Sequence, residues 1–405
     1  MINFIKKREK YLLFFILSGI ILRLIWPMDM EWKYDEVWVF EHGLELYKTG
    51  AFPSLGMESG GNVKNPAFGI WFFNLIGFFT QTPLGFLSWI QWINIFSLIG
   101  FLFVLYKKSS DKINTLLAMA LISVSPLPIL FSRKIWAQNV LPLFTLIILI
   151  TFLYRRKYLG AFLWGLVGGL IGQVHMSGFF FSLGIVIFVF LKEYMNKDYV
   201  TKWGSWLVGS ALSLIPMISW FQYLLSKDPS NSEGSIISVA NIFKFRFLTY
   251  NFMDVTGINL KYSLGKHFYE FVKIPYNLIL FSICVFVLVF LTVTVVLKAK
   301  NFILNFKNII KNSDDITLYA IGVIVGYGVI LTFTGIKIRP HYLIICYPFS
   351  FYFFVKILEN KKEIILISIV TQLFLSLSFL HFIHSKQDLS LGDYGKTYRL
   401  QMQRK

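Results

Sequence analysis

Charge is what this chain has least of. Only 15% of its 405 residues are Asp, Glu, Lys or Arg, against 56% hydrophobic and 18% aromatic, and the mean hydropathy is +0.63. A water-soluble domain keeps more charge than this, so most of the chain's solvent is lipid. Cysteine is nearly absent. Cys284 and Cys346 both lie inside apolar runs, which excludes a disulfide framework or a cysteine metal knuckle. The chain has no phosphate-cradling P-loop, no HExxH and no GxSxG. Cytosolic ATP chemistry is therefore not expected, and any energy would come from an activated, lipid-linked substrate. Acidic residues number 21 against 39 basic ones, a net charge of +18. The basic residues fall in short connectors rather than in an arm with interleaved aromatics. They read as orientation signals, not as a nucleic-acid surface. Residues 1–27 start basic and continue apolar, as a signal peptide does, but no small-x-small cleavage site follows. They are read as a retained first helix.

What the chain does have is apolar runs long enough to span a bilayer. They fall near 11–27, 84–106, 113–131, 138–154, 158–174, 176–192, 203–224, 274–297, 316–334, 341–358 and 364–384. The fold class expected is an all-α polytopic membrane protein, a single integral membrane domain over residues 1–405. Lys6, Lys7, Arg8 and Lys10 precede the first run and place the N-terminus in the cytoplasm of a cell-membrane protein. Alternate connectors carry Lys107-Lys108, Arg155-Arg156-Lys157, Lys192 to Lys202, Lys298 to Lys311 and Lys361-Lys362. With about eleven spans these five clusters share the cytoplasmic side, and the tail, 385–405, lies outside.

The segment NPAFGIWFFNLIGFFT, 65–80, is apolar but short. If it crossed, two basic clusters would move outside, so it is expected along the outer interface, with Asn65 as N-cap and Pro66 in the first turn. Residues 36–48 make a second interfacial helix, with Val37, Phe40, Leu44 and Tyr47 on one face and Glu41, Glu45 and Lys48 on another. Two outer segments are long, 28–83 and 225–273, and long loops of this kind are often functional.

The acidic stretch MEWKYDEVWVFEHG, 30–43, stands just past the first apolar run. Asp35 among Trp and Tyr at a membrane exit is partly desolvated, which favours its protonated form and suits a general base. Glu36 either holds a substrate hydroxyl or starts the helix, where the dipole favours an acid. Glu41 and Glu45 read as the solvated face of that helix. In SRKIWAQN, 132–139, Arg133 and Lys134 call for an anion at that depth; the alternative is snorkelling to headgroups. QVHMSG, 173–178, breaks an apolar run of about 35 residues at a hairpin tip and puts His175 on the side of Asp35. A hydrogen-bonded structural role is its competing reading. In GIKIRPHYLIICYP, 335–348, Lys337, Arg339, His341 and Tyr342 suit a phosphate headgroup or a phosphate leaving group. A basic-aromatic interface anchor is the alternative.

The order of these motifs resembles a GT-C membrane glycosyltransferase, similar to glycosyltransferase family 39 and the aminoarabinose-transferase group. YDE in the first outer loop, NP-AFGIWF, FSRKIW, GQVHMSG and IRPHYLIICYPF carry the likeness over most of residues 1–360. The resemblance implies transfer of a sugar from a polyprenyl-phosphate donor to an envelope glycan, lipid or protein acceptor on the outer face. It maps the first-loop acid onto Asp35, with Glu36 beside it. It maps the lipid-phosphate cations onto Arg133 and Arg339. Many relatives carry an Asp shortly after the SR pair, where this chain has Gln138 and Asn139. Amides can hold an acceptor or sugar hydroxyl, as can His175, but they bind a metal weakly. A divalent metal thus has no second acidic motif to support it, and no other cofactor is implied. A lipid-linked-sugar flippase and a catalytically inactive relative are the rival readings. Flippase charges usually sit mid-membrane in repeated halves, whereas this chain shows no repeat. The tail GDYGKTYRLQMQ carries no chemistry that the sequence alone explains.

Overall fold

The computed structural model describes residues 2–58, 63–226 and 237–403, with side chains from residue 9 onward. The polar stretch 227–235 of the second long loop lies outside the described residues, as do the side chains of Lys6, Lys7 and Arg8. Helices dominate. Among the described residues six of them are long and apolar enough to cross a membrane: Pro83–Lys108, Ser177–Asn196, Trp203–Ser226, Pro275–Asn312, Asp315–Phe333 and Lys362–Lys386. Four shorter apolar helices accompany them, Phe68–Phe79, Lys112–Val124, Ala137–Leu153 and Tyr158–Val174. The first helix, Ile2–Leu24, packs on Lys112–Val124. Among the described residues sheet is confined to two small antiparallel hairpins, Leu55–Glu58 with Lys64–Pro66 and Asp388–Leu389 with Gly395–Lys396.

Several expected spans are interrupted, each for a local reason. The run 113–131 breaks at Ser125-Pro126, because a proline removes a helical donor and pushes the preceding residue out of the helical region. The run 341–358 is a 3-10 segment, Pro340–Cys346, followed by the helix Phe349–Ile357, with Pro348 between them. A π-turn, Gly322–Gly326, interrupts Asp315–Phe333 where Gly184 of a neighbouring helix comes into contact. The basic stretch 298–311 is not a connector. It continues the helix Pro275–Asn312, whose 38 residues reach about 57 Å, well past a ~30 Å hydrocarbon core. In the first long loop, the helix expected over 36–48 is two helices, Tyr34–Gly43 and Glu45–Thr49. Asn65 and Pro66 do not start the next helix. They close the first hairpin, with Asn65 Nδ2 donating to Met57 O at 2.9 Å, and the helix starts at Phe68.

The helices join two polar ends. At one end Arg155 pairs with Asp315 at 2.7 Å and the Lys202 amide donates to Arg155 O at 3.1 Å. Asn196 Nδ2 donates there to Lys311 O at 3.1 Å, and Lys356 approaches Asp111 at 3.7 Å. Tyr158–Val174 runs from this end to His175, and its 17 residues span about 25 Å. Leu141–Leu153, Ser177–Asn196 and Lys362–Lys386 connect the same two ends. Distant connectors are thereby gathered at one end, and Asp35, Lys134, His175 and Arg339 are collected at the other.

Candidate active site

At that second end lies a cavity of about 620 Å³, lined in part by Lys33, Asp35, Trp136, Gln138, His175, Lys337, Arg339, His341, Tyr342 and Asp393. Five separate stretches of chain supply these residues.

The loop carrying Asp35 is held from beneath by ion pairs. Glu31, Glu36 and Lys134 are all buried. Lys134 Nζ lies 2.8 Å from Glu31 and 3.1 Å from Glu36, and it sits 4.0 Å over the Trp136 ring. Burial opposes the Lys134 charge, but Glu31 and Glu36 together outweigh it and raise its proton affinity. Lys33 Nζ pairs with the other side of Glu31 at 2.5 Å. Glu36 also accepts from the Lys33 amide at 3.2 Å, which starts the helix Tyr34–Gly43. Both of its oxygens are thus engaged within the protein. Glu36 is a buried structural acid, and Lys134 is its counter-ion rather than a cation facing the cavity. Asp35, one residue before Glu36 on the same helix, makes no hydrogen bond or ion pair with any described residue, and it lines the cavity.

Arg133 is turned the other way. Its guanidinium donates to Leu22 O at 3.0 Å, to Trp26 O at 2.9 Å and to Ile25 O. These are the carbonyls that the end of the first helix leaves unpaired. Arg133 is 3% exposed and absent from the cavity wall, so its guanidinium closes the first helix and does not meet the expected phosphate in the cavity. Asn139 is likewise withdrawn, with its Nδ2 bonded to Lys134 O at 2.8 Å.

The opposite wall is aromatic and basic. The rings of Trp136 and His341 lie 4.7 Å apart, those of His341 and Tyr342 4.9 Å, and those of His175 and Tyr342 4.9 Å. His175 Nδ1 contacts Ser177 Oγ at 2.6 Å, which fixes the ring at the hairpin tip. Burial pushes the His175 imidazole down to about 4. Burial, followed by His175, Lys134 and Arg339, pushes His341 well below its usual range. Both rings are therefore neutral near pH 7. Lys337 and Arg339 are exposed to the cavity and pair with no carboxylate among the described residues, while the Tyr262 hydroxyl sits beside Arg339. Trp136 Nε1, Gln138 Oε1 and His341 Nδ1 have no hydrogen-bond partner among the described residues. Orphaned polar atoms cost about 1–3 kcal/mol each when buried, which favours a polar ligand beside them. Among the described residues no group of three or more His, Cys, Asp or Glu is placed to hold a metal.

The sequence reading missed Lys33, Tyr262 and Asp393. Lys33 stands inside the acidic stretch and was masked by its own acids. Tyr262 belongs to a segment without any motif and Asp393 to the tail GDYGKTYRLQMQ, whose chemistry the sequence alone does not explain; both reach the cavity only through tertiary packing.

Together the helices and this terminal cavity define a polytopic helical membrane protein. Among solved structures the chain is similar to ArnT from Cupriavidus metallidurans in the apo state, with a TM-score of 0.50 and 11% sequence identity. The match covers 87% of this chain and 60% of that one, so the chain spans about three fifths of ArnT's length. At this identity the likeness is one of fold. No family model and no curated protein matches the chain.

Proposed function

We propose that this protein is a membrane glycosyltransferase that moves a sugar from a polyprenyl-phosphate donor to an acceptor hydroxyl at the extracytoplasmic face of the cell membrane, with its N-terminus in the cytoplasm. One observation carries the reading: Asp35, a carboxylate without a partner among the described residues, shares a cavity with Lys337 and Arg339, two cations that no described carboxylate neutralises. That pairing fits a reaction in which a hydroxyl loses a proton on one side and a phosphate departs on the other. The fold shared with ArnT and the motif order agree with it.

In the proposed step Asp35 takes the proton of the acceptor hydroxyl as its oxygen attacks the anomeric carbon. The bond from that carbon to the carrier's phosphate oxygen breaks, and the phosphate leaves with the bonding pair, steadied by Arg339 and Lys337. A single displacement inverts the anomeric centre. The neutral rings of Trp136, His175 and Tyr342 offer faces for the sugar, and the Gln138 amide and His341 Nδ1 offer polar contacts to its hydroxyls. Most of the acceleration comes from positioning and electrostatics.

The test is incubation of the purified protein with a radiolabelled polyprenyl-phosphate sugar and an envelope acceptor fraction. Transfer should appear with release of the carrier phosphate. Asp35→Asn should abolish transfer while the protein remains folded and inserted. A flippase would move the donor between leaflets and release no carrier. Full activity in Asp35→Asn would remove Asp35 as the base.

A further inference from the structure

The C-terminal tail, which reads as featureless in sequence, is built into the site. The hairpin Asp388–Leu389 and Gly395–Lys396 folds back over residues 263–266, where the Tyr394 amide donates to Ser263 O at 3.0 Å and the Lys266 amide to Leu391 O at 3.2 Å. A Cβ on Gly392 would come within 2.5 Å of Ser263 O, so only glycine allows this approach. The chain then runs antiparallel to the acidic loop. Thr397 bridges Glu31, the Tyr398 amide donates to Met30 O at 3.0 Å, and Gln401 Nε2 donates to Trp32 O. Arg399 and His384 clasp Asp29 at 3.0 and 2.6 Å.

Within this dock one residue faces the cavity. Asp393 lines it, as Asp35 does. Lys33 Nζ donates to the Asp393 carbonyl and lies 3.7 Å from its carboxylate, while its other neighbour is Glu31 at 2.5 Å. Lys33 is the N-cap residue of the helix whose second residue is Asp35. Its ammonium is thus held on the tail side by two acids, both distinct from Asp35.

We propose that the C-terminal hairpin is a wall of the site and that Asp393 is a positioning residue: it tethers Lys33 so that the ammonium does not neutralise Asp35. Without the Asp393 charge, Lys33 keeps only Glu31 on the tail side, and of the cavity-lining carboxylates that remain, Asp35 and Glu58, Asp35 is the one two residues along the chain. A base paired with an ammonium is a weaker base, so the tether keeps Asp35 competent. The inference rests on the transferase reading for its kinetic consequence alone.

Two measurements on the full-length protein in nanodiscs test it. In the kinetic one, Asp393→Asn is expected to lower kcat about tenfold, with the donor KM within twofold of the parent, and Asp393→Glu to restore most of the loss. The second needs no turnover and keeps the Asp35 carboxylate in place. Zero-length carbodiimide cross-linking joins an ammonium to a carboxylate only where the two touch, so Asp393→Asn should raise the yield of the Lys33–Asp35 cross-link, read by peptide mass spectrometry, at least threefold over the parent. An unchanged yield overturns the proposal. A parent protein that turns over no donor sinks the transferase reading instead, and the cross-link yield still decides this one.

Discussion

Lys134 is the residue whose replacement most directly separates support from chemistry at this site. It is 4% exposed and faces two buried carboxylates, Glu31 at 2.8 Å and Glu36 at 3.1 Å. Lys134→Met keeps the length and apolar bulk of the side chain but strips the charge. Glu31 retains Lys33 at 2.5 Å, so the group left without a cation is Glu36, which is fully buried. Removing one partner of a buried pair costs about 3–5 kcal/mol. Loss of the cation over Trp136 adds about 0.5–1 kcal/mol. Unfolding of the purified protein by SDS titration in mixed micelles measures the sum. Lys134→Met should lower the unfolding free energy by about 3.5–6 kcal/mol, and adding Glu36→Gln should recover at least half of that loss, because the stranded charge is gone. Glu36→Gln alone should cost only about 1 kcal/mol and should leave transfer measurable. A loss below about 1 kcal/mol for Lys134→Met, or strictly additive effects in the double variant, would refute the account of a buried ion network. Loss of all transfer in a normally stable Glu36→Gln would return that residue to the catalytic machinery.

Three further outcomes follow from particular contacts. Arg339→Gln should raise the donor KM about tenfold or more, since a charge-assisted hydrogen bond is worth about 1.5–3 kcal/mol; Arg339→Lys should recover only part of it, because an ammonium lacks the two-pronged grip. Steady-state kinetics with varied donor checks both. His175 is held at about 4 against an ordinary 6.5, so the unfolded chain binds a proton in that interval that the folded one does not. Stability should therefore fall as the pH drops from 6.5 toward 4, and His175→Gln should flatten this slope in thermal unfolding measured against pH. In Gly19→Leu the added Cβ would stand 2.2 Å from Ser123 O in the neighbouring helix. The first helix must then move away from Lys112–Val124, and SDS titration should show a loss of at least about 1–3 kcal/mol.

The membrane class was legible from residue content alone, because lipid tolerates few charges and each span must satisfy its own backbone. The two-ended organisation was legible as well. Basic connectors recur at span-length intervals, and the helices do join Arg155, Lys202, Lys311 and Asp315 at one end. His175, Lys337, Arg339 and Asp35 could be assigned to the other end because helix length and parity fix which end a connector occupies.

What a connector does once it arrives there is a different matter. Arg133 and Lys134 are adjacent in sequence, yet one side chain turns to the carbonyls closing the first helix and the other to Glu31 and Glu36. Asp35 and Glu36 part in the same way, one toward the cavity and the other into a buried pair. Successive residues on a turn or helix point about 100° apart, so a motif of neighbouring charges cannot say which of them meets the ligand. Composition and spacing determined the solvent, the helical class and the end of the molecule where the polar residues collect. Tertiary packing alone decided which charges are spent on one another, which line the cavity unpaired, and that a tail residue 360 positions from Lys33 completes the wall that Asp35 also lines, since those choices depend on partners that the local chain does not contain.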